Sequence, residues 1–404
     1  MRIAFAIERY WPLMTAASRI LDTLAGYLRQ QGHEVLVLTA QVDHLWPEFI
    51  TVRDVPVRRF GLDSWSLFGR KSLGQRMAHW LDREADQWDV LVVCEWVEGG
   101  HFLFQVAEHR GRPALLSFFE SGKWASLGQL LETQSVASRE GHAGNGGGHR
   151  NAAWLSRQHW IVPDEVAAAD IRRLRPQAQV AAWGLGIPDT SLMNAKDRQQ
   201  VRAAICRSRA DFDRYCGQPL IVYHGHLQPG RDSQWLWQLL AGLCENRPGI
   251  SAWVTGDGGA VHGLWRQANE AGLEDRIIFP GVFSDLNDLY SMADLVVLPQ
   301  QERLDNYNWL MAVAAGTPCL VARSPGTDRV TKLIDATETQ HWLWTHVLPT
   351  DLVTWWEQAR QVLDSREQAQ ALVREQRRAI LRHYHQDDTL QQFERLLIRL
   401  QEES

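Results

Sequence analysis

The 404-residue chain has only five cysteines, Cys94, Cys206, Cys216, Cys244 and Cys319. An odd number without a CxxC pair offers neither a disulfide framework nor a thiolate zinc site, so all five are read as reduced thiols. Long hydrophobic runs are missing too. No stretch reaches the roughly 18 apolar residues of a membrane span, and the five apolar residues just before Glu8 are too few for a signal-peptide core. A cytoplasmic protein is expected. Positive charge is also short: 42 Lys and Arg stand against 48 Asp and Glu, a net charge of −6. That balance withholds the basic field that binds nucleic acid or an anionic bilayer, so no nucleic-acid partner is expected and any membrane association is peripheral. Two cofactor signatures are absent as well. No glycine follows the first apolar run until Gly26, which removes the GxGxxG dinucleotide fingerprint, and no Walker glycine-lysine loop occurs.

What is present is an ordinary globular composition, 45% hydrophobic and 22% charged, over a length that suits two domains. Nineteen tryptophans stand out. Most are expected in the core, and some along a groove. Ile3 to Ile7 reads as a buried strand, followed by a helix with Ala17, Ile20, Leu21, Leu24 and Leu28 at helical spacing, a stop at Gly32 and a second strand, Val35 to Leu38. Strand, helix and strand in so short a span form a βαβ unit, which builds parallel sheets. Further apolar runs at Asp89–Cys94, Pro113–Phe119, His159–Val162 and Gln179–Trp183 extend this first α/β domain. The glycine-dense stretch 139–151 reads as a loop whose role is open. A second series begins at Pro219–Gly225 and continues at Ser251–Gly256, Arg276–Gly281, Asp294–Pro299 and Pro318–Arg323. The expected architecture is α/β: an N-terminal domain over 1–188, a linker over 189–217, a C-terminal domain over 218–384, and a final helix over 385–404 that packs back on the first domain.

Open parallel sheets bind ligands beyond the carboxyl ends of their strands, so the strand-end turns carry the chemistry. Gly225-His226-Leu227-Gln228-Pro229-Gly230-Arg231 lies between a strand and a helix, a setting where backbone amides and a cation hold phosphate. Gly256-Asp257-Gly258-Gly259, Pro280-Gly281-Val282-Phe283 and Pro299-Gln300-Gln301-Glu302 end the strands that follow. Each alone is compatible with a tight turn. In this order and spacing, from Leu220 to Ala322, they resemble the GT-B glycosyltransferases, and within them the retaining family 4 enzymes that use nucleotide-sugar donors. Gly32-His33-Glu34-Val35 and Trp183-Gly184-Leu185-Gly186-Ile187-Pro188 are weaker echoes of the same family.

The resemblance implies two Rossmann-like domains facing a central cleft, an acceptor-side first domain and a donor-binding second one. It implies transfer of a sugar from a nucleotide diphosphate to a hydroxyl, with retention and without metal or other cofactor. The acceptor class stays open between carbohydrate, lipid and small molecule. The family's phosphate-binding cations fall on His226 and Arg231, and its nucleobase turn on Gly281, Val282 and Phe283. Its paired carboxylates fall on Arg303, beside Glu302, and on Met311, and a methionine cannot accept a ribose hydrogen bond usefully. Asn306, Tyr307 and Asn308 stand in the phosphate-facing loop, with surface asparagines as the plain reading. The glycine pair after the first strand is replaced by Thr15 and Ala16, where the Thr15 hydroxyl can cap the helix and leave its amide end toward an anion. Glu120 matches the neighbourhood of the family's middle-strand histidine and is the candidate acceptor-side base, with Glu95 and Glu98 as similar candidates. Asp211-Phe212-Asp213 has the form of a metal-binding DxD, but it lies in a helical segment away from any strand end, and no metal site is expected. The alternative reading is a catalytically silent GT-B scaffold that binds sugar or a partner. A nucleotide-sugar epimerase has no histidine and carboxylate set to single it out.

Overall fold

The computed structural model describes residues 1–61, 65–66, 69–119, 159–163, 165–189, 192–207, 219–283, 285–299, 306–322, 346–347 and 351–403. They divide into two units, Met1–Leu185 with Asp388–Ser404, and Gly186–Asp387. Among the described residues no helix is long and apolar enough to cross a membrane.

In the first unit β1 (Arg2–Ala6) is apolar on both faces and almost wholly buried, as a central parallel strand requires. Helix α1 (Ala16–Gln30) starts at Thr15, whose hydroxyl accepts the Ser18 amide at 3.2 Å while Ser18 Oγ accepts the Thr15 amide at 2.6 Å. This capping box satisfies two amides that the helix leaves without partners. Ile20, Leu21, Leu24 and Leu28 form its buried stripe. Gly32, at φ +86°, ends the turn that leads to β2 (Glu34–Gln41). β3 (Phe49–Val52) and β4 (Val55–Gly61) form an antiparallel hairpin, and β5 (Trp65–Ser66) pairs with β6 (Gly69–Arg70). Then follow α2 (Leu73–Arg83), β7 (Val90–Cys94), α3 (His101–His109), β8 (Ala114–Ser117), β9 (His159–Val162), α4 (Glu165–Leu174) and β10 (Gln179–Ala182).

The strands lie in the order β10-β9-β8-β7-β1-β2-β4-β3, parallel except for β3. Since β1 leads outward to β2 and the chain returns to place β7 on its other side, the switch point lies between β1 and β7. Asp89, just before β7, ties the start of the sheet together by accepting the Arg2 amide at 2.7 Å and Arg2 Nε at 3.1 Å. The hydrogen bond from Arg2 holds the Asp89 carboxyl below its usual range. A lowered native value stabilises the fold above about pH 4 and loses that contribution as pH falls further. Urea unfolding across pH is therefore expected to show Asp89→Asn less stable than the parent at pH 7, with the gap closing under acid.

The second unit opens with α5 (Ala195–Arg207). This stretch, expected as a linker, is instead part of the unit. Arg198 donates to Ser291 O at 2.7 Å and to Thr317 Oγ1 at 3.2 Å, Arg202 reaches Asp294 at 3.1 Å, and Cys206 is buried. Its polarity was misleading because its arginines satisfy carbonyls and a carboxylate of the unit rather than water. After it come β11 (Leu220–His226), α6 (Arg231–Asn246), β12 (Ser251–Asp257), α7 (Val261–Glu270), β13 (Ile277–Gly281), α8 (Leu286–Ser291), β14 (Leu295–Leu298), α9 (Asn306–Ala314), β15 (Cys319–Ala322), β16 (His346–Val347), α10 (Leu352–Asp364) and α11 (Arg366–His383). The strand order is β13-β12-β11-β14-β15-β16, all parallel, with the switch point between β11 and β14.

Helix α12 (Gln386–Glu402) runs into the first unit. There Leu390, Phe393, Leu397 and Leu400 are buried, Phe393 meets Trp183 edge to face at 4.9 Å, and Trp183 Nε1 donates to Thr389 O at 2.7 Å. Glu394 accepts the Tyr27 hydroxyl at 2.8 Å and lies 2.9 Å from His33 Nε2. Among the described residues Trp88, Trp160, Trp253, Trp309 and Trp355 are fully buried, while Trp11 and Trp265 are exposed.

Candidate functional site

The turns that end β11 and β12 interlock. Gly256 has φ +116°, and a Cβ there would lie 2.0 Å from Gly225 O; Gly258 has φ +124°, and a Cβ there would lie 2.0 Å from Leu227 O. Only glycine accepts both the backbone region and the approach. Two backbone bonds close the pair of turns, Leu227 N to Asp257 O at 2.8 Å and Ala260 N to Leu227 O at 3.0 Å. Gly225 and His226, expected in the turn, still belong to the ladder, since Gly225 pairs with Gly256 and His226 with Asp257. The chain then reaches Gly230, whose carbonyl accepts from Ser233 Oγ at 2.9 Å, and α6 begins with the exposed Arg231. A guanidinium at the head of a helix, beside the positive end of its dipole, is a favourable place for an anion.

The ladder also assembles a histidine and carboxylate set that the linear order hides. Residues two apart on a strand share a face, so His224 and His226 lie in register with Thr255 and Asp257. Thr255 donates its one hydroxyl proton to Tyr223 O at 2.8 Å, so its 2.9 Å bond with His224 Nδ1 is donated by the ring. His226 Nδ1 lies 2.7 Å from Asp257 Oδ1, and an ionised carboxylate only accepts, so Nδ1 carries a proton there as well. The side-chain amide of Gln228 meets the other nitrogen of His226. Below them, Tyr290 donates to Asn308 Oδ1 at 3.1 Å. Asn308, expected on the surface, is buried within α9.

At the next strand end a register shift between Trp253 and Thr255 brings Gly281, at φ +88°, opposite Thr255. Val282 is exposed, and Phe283 packs at 6.0 Å on Trp253. Phe283, Tyr307 and Met311 all border one apolar cluster of the second unit. At the position where the resemblance places a ribose-binding carboxylate, Met311 supplies apolar packing. Asn306 is the first residue of α9. Thr15 belongs to the first unit, where it caps α1. Glu120, Glu302, Arg303, the stretch 139–151 and the pair Asp211 and Asp213 lie outside the described residues. Of the other acids considered, Glu95 follows β7 with φ +62°, is buried, and accepts the Phe119 amide at 2.9 Å. It holds the chain just ahead of Glu120 from the switch point of the first sheet.

Structural similarity extends over the whole chain. It matches sucrose-phosphate synthase from Thermosynechococcus elongatus with a TM-score of 0.72 at 17% identity, covering 100% of this chain and 99% of that one. Anabaena HepE, solved with UDP-glucose, matches with a TM-score of 0.70 at 15% identity, covering 99% and 100%. The fold is GT-B. A glycosyltransferase from Rickettsia africae shares it, with a TM-score of 0.65 at 11% identity over 100% and 99% of the two chains. Residues 218–354, inside the second unit, match the family model of the group 1 glycosyl transferases. No curated protein sequence matches the chain. The interlocked glycine turns, His226 and Arg231 all fall within the stretch that the family model covers in this GT-B chain.

Proposed function

We propose that the protein is a glycosyltransferase that moves a sugar from a nucleotide-diphosphate donor to an acceptor hydroxyl, with retention and without a metal. The observation that carries the reading is the β11 and β12 strand-end site, glycine turns beside His226 and the head of α6, inside the part that matches the group 1 glycosyl transferases. Departure of a nucleoside diphosphate leaves negative charge on the phosphates, and preorganised cations and amides stabilise that charge most where it develops. Arg231 supplies the permanent cation. Gly256 and Gly258 let the turns after β11 and β12 close on each other, which fixes the backbone at Gly225 and around it for the phosphates. Gly281, Val282 and Phe283 are assigned to the nucleobase, and Asn306 at the head of α9 to the phosphates. On the acceptor side Glu120 is the proposed base, with Glu95 holding the backbone that precedes it. HepE, solved with UDP-glucose, supports a nucleotide sugar as donor, and the acceptor is proposed as carbohydrate, lipid or small molecule.

Calorimetric titration with UDP, GDP, ADP and their common sugars tests the donor. Saturable binding of one nucleotide family is expected, and no binding at millimolar concentration overturns the reading. Met311 among Phe283 and Tyr307 favours the second reading, a silent GT-B scaffold that binds sugar or a partner. Donor binding without release of nucleoside diphosphate, to water or to any acceptor class, would select it.

A further inference from the structure

Helix α10 carries a second stripe beside the one it buries. Trp355, Ala359, Val362 and Leu363 face the core, while Val353, Trp356, Glu357, Arg360 and Asp364 recur at helical spacing and line a cavity of about 540 Å³ against α6. The opposite wall is the last turn of α6, from Gly242 to Asn246, with Arg247 after it. Trp356 Nε1 donates to Leu239 O at 3.1 Å, and Gly242 makes room for the ring, since a Cβ there would lie 2.6 Å from Trp356 Cζ2. Glycine inside a helix is less stable than alanine, and the seat it leaves for the indole is the local reason for it. Arg247 and Asp364 pair at 2.6 Å across the ends of the two helices. Glu357 and Arg360 are exposed and have no hydrogen bond or ion pair among the described residues. At the helical rise, Gly242 stands about 16 Å along α6 from Arg231, so the cavity is separate from the strand-end site.

We propose that this cavity is a second binding site, one that takes a neutral mono- or disaccharide with a sugar-ring face laid on Trp356. The site goes beyond the donor reading and does not depend on it. Its volume suits a small ligand. Among the described residues its charged groups are Arg247 and Arg360 against Glu357 and Asp364, so the charges cancel and leave no net field to draw an ion. An apolar ligand would strip water from Glu357 and Arg360 and give no hydrogen bond in return. A hydroxyl both donates and accepts, and it therefore satisfies a carboxylate, which only accepts, and a guanidinium, which only donates. The negative face of the indole attracts the C–H bonds on the apolar face of a sugar ring. Trp356, Glu357 and Arg360 place that aromatic face, an acceptor and a donor on one stripe of α10.

Saturation-transfer NMR of the full chain with glucose, maltose, cellobiose and N,N′-diacetylchitobiose tests the site. At least one of these is expected to bind with a millimolar or lower dissociation constant, and excess UDP is expected not to displace it. Trp356→Ala, which removes the aromatic face, and Gly242→Ala, which pushes the ring from its seat, are each expected to weaken binding about tenfold. Arg360→Ala and Glu357→Gln, exposed substitutions that leave no cavity, are expected to weaken it about fivefold. These two carry the test if thermal unfolding shows the fold disturbed in either of the first pair. Arg231→Ala is expected to leave saccharide binding unchanged. No binding of any of the four sugars, displacement by UDP, or binding that falls in Arg231→Ala and survives in Arg360→Ala and Glu357→Gln overturns the inference. Glucose 6-phosphate binding tighter than glucose by about tenfold or more, with the gain lost in Arg360→Ala, would make the cavity an anion site and overturn it as well.

Discussion

Gly256→Ala is expected to abolish nucleotide-sugar binding and to destabilise the second unit by about 3 kcal/mol or more. An L-residue at φ +116° is strained by itself, and the added Cβ would sit 2.0 Å from Gly225 O, a backbone atom that cannot swing aside. Relief requires β12 to slide away from β11. That movement breaks the Gly225 and Gly256 pairing and separates His226 from Asp257, so binding is lost together with stability. Gly263→Ala is the control. Gly263 lies inside α7, and an added Cβ there would have nothing within 4 Å, so alanine is expected to stabilise by up to about 1 kcal/mol. Denaturant unfolding and donor calorimetry on the two variants separate a local steric effect from a general intolerance of substitution.

Arg231→Ala is expected to weaken nucleotide-diphosphate binding at least tenfold, about 1.4 kcal/mol, without a comparable loss of stability. The side chain is exposed at the head of α6, so its removal leaves no buried cavity. A charge-assisted bond to phosphate is worth roughly 1.5 to 3 kcal/mol, which sets the size of the effect. Arg231→Lys is expected to recover part of the affinity, because a lysine keeps the charge but not the planar fork. Uridine affinity should be unchanged in both variants, since the nucleoside has no phosphate to lose. Equal weakening of uridine and UDP-glucose would place Arg231 outside the phosphate subsite.

Much of this architecture is legible in the chain. Ile3 to Ile7 and Leu220 to Tyr223 read as parallel strands because burial on both faces demands unbroken apolar runs, and α1 reads as a helix because its buried stripe recurs at three and four. The glycines at 256 and 258 are visible as turn residues, and their spacing places them at a strand end. The β3 and β4 hairpin is not legible. Its turn residues Arg53 and Asp54 both have positive φ, a conformation usually marked by asparagine or glycine, and Pro56 lies inside β4. A 2.6 Å ion pair from Arg53 to Asp22 of α1 accompanies that turn, and this tertiary contact has no local signature.

The candidate site divides in the same way. Arg231 and the glycine turns could be found from order and spacing, since each depends on its own neighbours along the chain. Their setting could not. Asp257 is 31 residues from His226, Asn308 is buried by its packing within the second unit, and Met311 joins Phe283 through a shared apolar cluster. By itself the sequence determined the two series of strands and helices, the glycine turns and the candidate cation at the head of α6, because periodicity and backbone preference act over a few residues. Tertiary structure alone decided which histidine meets which carboxylate, whether an asparagine faces solvent or core, and that a polar helix belongs to the second unit. Those outcomes depend on strand register and on desolvation by distant segments, which no local pattern records.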